Sequence, residues 1–426
     1  MAHSKAIYIF ILITLLSGIS SCNLPLSTPV PIATQTNTPV PSSTPTLLPT
    51  IQPTIASSPT PSDTAAATPV GLSLYLPNGI ATYPTGGGKV QYYDFQDQLL
   101  GEAQAPNLES QPFQRAAIAG VLTYSPGPLL PPLVYCVFEN GGELWLSSDN
   151  NTSLLKASPN LLNLIGVPGK SIMAYTLLEY SDAGLISRLF LGELQTLPTA
   201  DPILVNTNTE IYAIKPLAIS LNNGQAVGVW YTTVPYGIGG DIVFEPRKTL
   251  NYLDSTNNQI TTYLNMSKGP AGISDDQTWV AYTPVDGNGP MSIVHNFDFS
   301  TSITYPLRDD SDRGSGEAVF SPDNQYVAWR EAGGSIADQP STFHETIRIA
   351  TLDGNILTEV SDTSLINISG FPEIAWVVPV GWLDAQTLVL EVRASNWDTA
   401  CIISVKFDGS GLAYIAPGSL VGFLYP

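Results

Sequence analysis

The sequence predicts an all-β fold, a β-propeller of four-stranded blades preceded by a disordered proline- and threonine-rich linker. Three observations carry that expectation. A turn that runs straight into an apolar strand recurs about every fifty residues, and a small residue recurs at one place in each copy. After Gly71, Gly, Pro and aromatic residues are frequent and no amphipathic helical run stands out.

The clearest copy is Phe320-Ser321-Pro322-Asp323-Asn324-Gln325-Tyr326-Val327-Ala328-Trp329. Proline at the second turn position presets φ, and the Asp and Asn side chains bond the backbone just beyond. Tyr326, Val327 and Trp329 then suit a packed, pleated surface. With Asp323 as anchor, matching corners fall at Asp276, before Trp279-Val280-Ala281-Tyr282, and at Asp384, before Leu388-Val389-Leu390-Glu391. Weaker copies are Asn223 before Val227-Gly228-Val229-Trp230 and Gly169 before Met173-Ala174-Tyr175. The intervals between anchors are 54, 53, 47 and 61 residues, the period of a four-stranded blade with some long loops. Five residues after the anchor stand Ala174, Gly228, Ala281 and Ala328, which marks a close approach of neighbouring sheets. Leucine at 328 is therefore expected to overpack, and glycine at 324 to be tolerated in the turn.

These corners resemble the repeat of TolB-type (WD40-like) β-propellers, whose blades carry a similar Ser-Pro-Asp-Gly corner before the second strand. TolB-like repeats also show Asp-Gly turns before the outer strand, as in Asp353-Gly354 and Asp408-Gly409 here. The resemblance covers most of 71–426, is strongest from 272 to 410, and implies fold rather than activity. It departs at Asp384-Ala385, which no Ser-Pro precedes, and at Gly169, where the anchor acid is absent.

From the start of the chain, Lys5, the apolar run Ala6–Leu16 and the small residues before Cys22 read as a secretory signal over residues 1–21. Ile19-Ser20-Ser21-Cys22 resembles the bacterial lipobox, which implies a diacylated Cys22 at the mature N-terminus. An ordinary signal peptide cut near Ser21, or an uncleaved anchor, is the alternative. Residues 22–70 form the linker: 22 of the 48 residues from 23 to 70 are proline or threonine, and Asp63 is the sole charge. No core can form there, and a proline-rich chain of that length reaches up to roughly 150 Å. The same composition would also suit a glycosylated stalk.

The propeller is expected over 71–426. Its first copy reads Leu72–Leu76, Ile80–Tyr83 and Val90–Phe95, and its second Leu133–Phe138 and Glu143–Leu146. Second strands fall near Ala81, Tyr135, Ala174, Gly228, Ala281, Ala328 and Val389, so seven blades are expected, with six as the alternative. Ring closure by pairing the two chain ends would hide free strand edges.

Beyond the signal and linker the chain carries 35 acids against 15 bases, which disfavours nucleic acid and tolerates basic partners or cations. Cys136 and Cys401 lie in apolar strand patterns of non-neighbouring copies and are expected as buried free thiols rather than a disulfide.

Candidate chemistry is sparse. His295 and His344 lie in different blades without metal-ligand spacing, so a structural or solvated role is expected for both. In Arg308–Glu317, clustered carboxylates with glycines loosely echo a calcium loop, and Asp310, Asp312 and Glu317 are the candidate ion ligands. The later glutamate spacing is missing, and Arg308 and Arg313 neutralise nearby acids. A solvated loop is the competing reading, and no cofactor is expected. Ser321-x-Asp323 resembles the Asp-box of propeller sialidases, but Gln325 occupies the glycine site and Trp329 comes too late. TolB-like propellers also precede serine peptidase domains; no Gly-x-Ser-x-Gly elbow in a strand–turn–helix context follows here.

The expected function is therefore a membrane-anchored, extracytoplasmic module at the cell surface or in the periplasm. As a monomer it would bind or scaffold a protein, peptide or glycan over the channel. The alternative is a secreted hydrolase or lyase using carboxylates at the channel mouth.

Overall fold

The computed structural model describes residues 76–425 except 85–88, 105–116, 125–132, 141–142, 149–150, 158–160, 182–183, 194–195, 197–199, 209–211, 236–242, 265–266, 286, 309–311, 336–341 and 397. From 103 to 163, and at Tyr180, Thr207, Asn208 and Asp312, the backbone alone is described. The signal segment, Cys22, the linker and residues 72–75 lie outside the described residues.

Seven antiparallel four-stranded sheets follow one another. The first joins β1 (Gly79–Tyr83), β2 (Lys89–Tyr93) and β3 (Leu99–Gln104) to β28 (Ser419–Leu424) from the far end of the chain. Then come β4 (Ala117–Tyr124), β5 (Leu133–Asn140), β6 (Glu143–Ser148) and β7 (Asn151–Ala157). The third sheet is β8 (Leu161–Gly166), β9 (Ile172–Ser181), β10 (Gly184–Glu193) and β11 (Leu204–Asn208). The fourth is β12 (Tyr212–Asn222), β13 (Gln225–Pro235), β14 (Lys248–Asp254) and β15 (Gln259–Leu264). The fifth is β16 (Lys268–Ile273), β17 (Trp279–Pro284), β18 (Ser292–His295) and β19 (Ile303–Thr304). The sixth is β20 (Asp312–Phe320), β21 (Tyr326–Gly333), β22 (His344–Thr351) and β23 (Ile356–Ser361). The last is β24 (Ile374–Trp382), β25 (Thr387–Ala394), β26 (Ala400–Lys406) and β27 (Ala413–Pro417).

In each sheet one innermost strand adjoins that of the next sheet, and the whole is a β-propeller. Six blades, the smaller of the two expected counts, are described with their side chains. The sheet β4–β7 stands where the copy near Tyr135 is expected, and its backbone pairing alone is described. The innermost strand of the first blade is β28, with Gly79 opposite Leu424 and Ile80 opposite Phe423, the pairing of the chain ends that ring closure calls for. Pairing the chain ends satisfies the β1 edge and closes the ring. A short helix, α1 (Asp362–Ser369), follows β23 and ends at Gly370, whose φ of 72° and N–H bond to Ile366 form a left-handed cap. Among its residues Leu365 alone is buried, too little to leave an amphipathic signature.

Second strands carry the interblade core, with a fixed alternation. Val327 and Trp329 face the fifth blade with Phe320, Met291 and Tyr305, whereas Ala328 faces the seventh with Leu388 and Leu390. Val280 and Tyr282 likewise face Trp230 of the fourth blade, and Ala281 faces the sixth. Ala174, Ala281 and Ala328 are fully buried. At Gly228 a Cβ would lie 2.3 Å from the Tyr252 hydroxyl and 2.6 Å from the Leu253 carbonyl oxygen, so even a methyl group has no room. The small residue thus lets the bulky side chains of the adjoining strands close over it.

Corners explain themselves. Ser321 donates its hydroxyl to Asp323 at 2.7 Å and accepts the Tyr326 N–H at 2.9 Å, while Asp323 accepts the Gln325 N–H at 3.2 Å. Ser274, Asp276, Thr278 and Trp279 repeat that set. Asp384 accepts the N–H groups of Gln386 and Thr387. Asn324 and Gln277 hold φ of 53° and 62°, the left-handed step a tight corner requires.

Candidate functional site

The antiparallel order of each blade gives the ring two unlike ends. At the corner end lie the turns between first and second strands and between third and fourth strands. Asp94, Asp254, Asp276, Asp298, Asp323, Asp384 and Asp408 sit there, each accepting the N–H two residues on. At the opposite, loop end gather the second-to-third connections and the interblade crossings, and with them arginine, lysine and glutamate.

The densest cluster at the loop end centres on Arg330 of β21, whose side chain is 2 % exposed. Its Nε lies 2.5 Å from the Glu317 carboxylate, its Nη1 donates to Glu345, and its Nη2 donates to the Val243 carbonyl at 2.5 Å. Glu345 in turn accepts the Val377 N–H at 2.7 Å, tying the sixth blade to the inner strand of the seventh. Burial pushes the Glu345 carboxyl up to about 7 against the pull of Arg330 and that N–H. For Arg330 burial acts downward, and the Glu317 and Glu345 charges outweigh it. Glu317 reaches Arg330 from a bulge in β20, where pairing shifts between Gly316 and Val319 and Glu317 itself takes a φ of 55°.

A second charged group adjoins it. Lys215 of β12 donates to Glu245 at 2.6 Å, and Arg247 reaches the same carboxylate from 3.1 Å. Loss of solvent and the Arg247 charge hold the Lys215 amine below the usual lysine range, against Glu245 and Glu317. Burial raises the Glu245 carboxyl, but Lys215 and Arg247 win and keep it below the usual range. The pattern continues in the seventh blade, where Arg393 donates to Glu391 at 2.5 Å and Glu391 accepts the Leu420 N–H at 3.0 Å. Trp376 of β24 has the Arg330 guanidinium at 5.8 Å and that of Arg393 at 5.4 Å from its ring.

Between these groups runs a strap, Val243–Arg247, in the β13–β14 connection. It belongs to the fourth blade but lies on the fifth and sixth. The Arg247 N–H bonds to the Val285 carbonyl at 3.1 Å, and Phe244 packs beneath the Arg330 guanidinium, 4.7 Å from ring to charge. A small cleft lined by Phe244, Glu245, Pro270, Val285 and Glu317 opens beside it.

Of the three candidate ion ligands, Glu317 belongs to the Arg330 cluster. Asp310 and the Asp312 side chain lie outside the described residues. Arg308 donates its guanidinium to Thr346 at 2.9 Å and its main-chain N–H to Glu331. Among the described residues no group of three or more His, Cys, Asp or Glu is placed to hold a metal ion. His295 is exposed with its ring 4.7 Å from that of Trp279, and His344 Nδ1 is 2.9 Å from the Thr342 carbonyl. Cys401 is a buried free thiol, pushed up to about 12 by burial; the Cys136 side chain lies outside the described residues. Arg330, Glu345, Lys215 and the strap carried no sequence signal, because single charges inside strands resemble solvated surface positions.

The fold is similar to that of solved propellers. A protein described as TolB from Agrobacterium tumefaciens shares 12 % identity, covering 64 % of this chain and 88 % of its own, with a TM-score of 0.37. An oligogalacturonate lyase solved in complex with manganese shares 11 %, covering 67 % and 73 %, with a TM-score of 0.43. A prolyl endopeptidase shares 12 %, covering 81 % of this chain and 49 % of its own, at 0.45. No family model and no curated protein matches the chain.

Proposed function

We propose that the chain is an extracytoplasmic binding propeller, held to a bacterial membrane through Cys22 and its linker, with a protein, peptide or glycan ligand seated at the loop end of the channel. The observation that supports this most is the closure of the charge network there. Glu245, Glu317, Glu345 and Glu391 are each engaged by an arginine or lysine. A hydrolase or lyase working through carboxylates needs at least one whose proton can move at the substrate. Paired charges beside Phe244 and Trp376 instead favour orientation and recognition. Among the described residues no helix is long and apolar enough to cross a membrane, and the anchor reading rests on the Ile19–Cys22 box.

Two measurements test this. Detergent-solubilised full chain is offered to panels of peptides and oligosaccharides; retention without cleavage is expected, lost in Lys215→Glu. Turnover of any retained molecule, abolished by Glu317→Gln, would transfer the reading to the enzyme class. For the anchor, Cys22→Ser should release the chain from membranes or leave it unprocessed. Normal processing with unchanged membrane retention would remove the lipid from the account.

A further inference from the structure

We infer that the seat beneath the strap is a peptide-recognition site for an aromatic residue followed by an acidic one, and that Val243-Phe244-Glu245 occupies it as an internal ligand. The inference rests on the binding reading above and names the ligand class of that same end of the ring.

The seat is shaped to its occupant. Phe244 is 3 % exposed. A Cβ on Gly287 would lie 2.6 Å from the Phe244 Cβ, and one on Gly316 2.7 Å from its Cδ1. Two blades thus leave out side chains where the ring enters. A third omission, at Gly269, makes way for the Arg247 carbonyl, which a Cβ there would meet at 2.0 Å.

The contacts are those a peptide makes in trans. A guanidinium reads a main-chain carbonyl (Arg330 on Val243), the same cation covers an aromatic face (Phe244), and an ammonium reads the following carboxylate (Lys215 on Glu245). None of these partners belongs to the strap. Lys215 is on the fourth blade's inner strand and Arg330 is on the sixth blade, 87 residues from Val243.

The chain leaves the strap against local backbone preference. Where it enters β14, Thr249 takes a φ of 63°, a left-handed conformation unfavourable for a β-branched residue. Its hydroxyl accepts the Asn251 amide at 2.8 Å, and Thr232 donates to the Thr249 carbonyl at 2.9 Å, so the surroundings hold it there. A strained exit and a fitted seat are what a displaceable internal ligand requires. The cleft beside Phe244 lets a competing side chain approach.

The test uses the acetylated, amidated pentapeptide Val-Phe-Glu-Pro-Arg, fluorescently labelled, and the detergent-solubilised full chain. Phe244→Ala vacates the ring slot and should bind the peptide about tenfold more tightly than the wild type, whose own strap competes. Adding Gly316→Ala fills the slot and should return binding to background. A cooperatively melting Phe244→Ala chain that binds no better than wild type overturns the inference. Should that variant fail to fold, hydrogen exchange on the wild type decides: excess peptide should speed exchange of the Arg247 amide, and unchanged protection overturns it equally. If the panels find a ligand that Lys215→Glu loses while the pentapeptide fails, the recognition class falls and the binding reading stands.

Discussion

The side-chain amide of Asn324 donates to the Asp276 carboxylate at 2.7 Å, joining the corner of one blade to the corner of the blade before it. Gln277, one residue past its own anchor as Asn324 is past Asp323, does the same a blade earlier. Its amide donates to the Ile219 carbonyl at 2.8 Å, and its oxygen accepts the Trp230 indole N–H at 2.9 Å. The residue that must adopt a left-handed φ to make the corner is thus also the residue that stitches adjacent blades.

That link revises the expectation that Asn324 would tolerate glycine. Asn324→Gly keeps the backbone comfortable at φ 53° but loses the amide, and should cost roughly 0.5–1.5 kcal/mol. Asn324→Ala loses the amide and adds left-handed strain, a further 1–2 kcal/mol or about that. Burial acts upward on Asp276, but Ser274, Thr278 and Asn324 hold its carboxyl below the usual range. Its stabilisation is therefore present above about pH 4 and is lost as pH falls through the lowered native value. Urea titrations across the acid limb would show a shallower loss in Asn324→Gly. Identical curves for wild type and both variants would sever the corner link from stability.

The small second-strand residue makes a second, independent prediction. Gly228→Ala should destabilise by about 1–3 kcal/mol, since the Leu253 carbonyl cannot turn aside as a side chain can. Ala328→Leu should cost a similar amount, about 1–3 kcal/mol, against Leu388 and Leu390. Tyr252→Phe would relieve the hydroxyl contact but leave the ring carbon Cζ at 2.5 Å and the carbonyl, so it should rescue Gly228→Ala only in small part. Thermal melts of the four chains suffice. Wild-type melting of Ala328→Leu would mean that the blades do not close on that position.

These two features also show what the sequence could disclose. Corner chemistry is local: Ser321 and Asp323 bond within five residues, so spacing alone exposed it. The register of second strands followed, and all seven named positions, from Ala81 to Val389, lie on the second strand of their sheet. The acidic composition has a local cause as well, because turn after turn uses an aspartate to accept its own N–H. The candidate site is otherwise. Arg330 meets Val243 across 87 residues and Lys215 meets Glu245 across 30, and such contacts leave no periodic trace. In sequence Glu317 reads as a carboxylate in an acidic loop; that an arginine on the neighbouring strand faces it depends on the bulge at Gly316.

The last prediction concerns Arg330 itself. Arg330→Met retains the apolar stem but leaves Glu345 and Glu317 without their cation, one of them in the interior. Breaking a buried pair from one side costs about 3–5 kcal/mol, whereas removing both members often costs far less. Arg330→Met with Glu345→Gln should therefore recover a substantial part of the loss. Acidity gives a sharper signature. The native carboxyl of Glu345 stands near 7, above its unfolded value of about 4.3, because burial disfavours the charge. For a group so raised, the stabilisation is complete below the unfolded value and disappears as pH rises through the native one. Without Arg330 the native value climbs further, so the variant's deficit should be smallest near pH 5 and grow towards pH 8. Denaturant titrations at those two values decide it, and a deficit that does not change with pH would show that Arg330 does not hold the Glu345 carboxyl down.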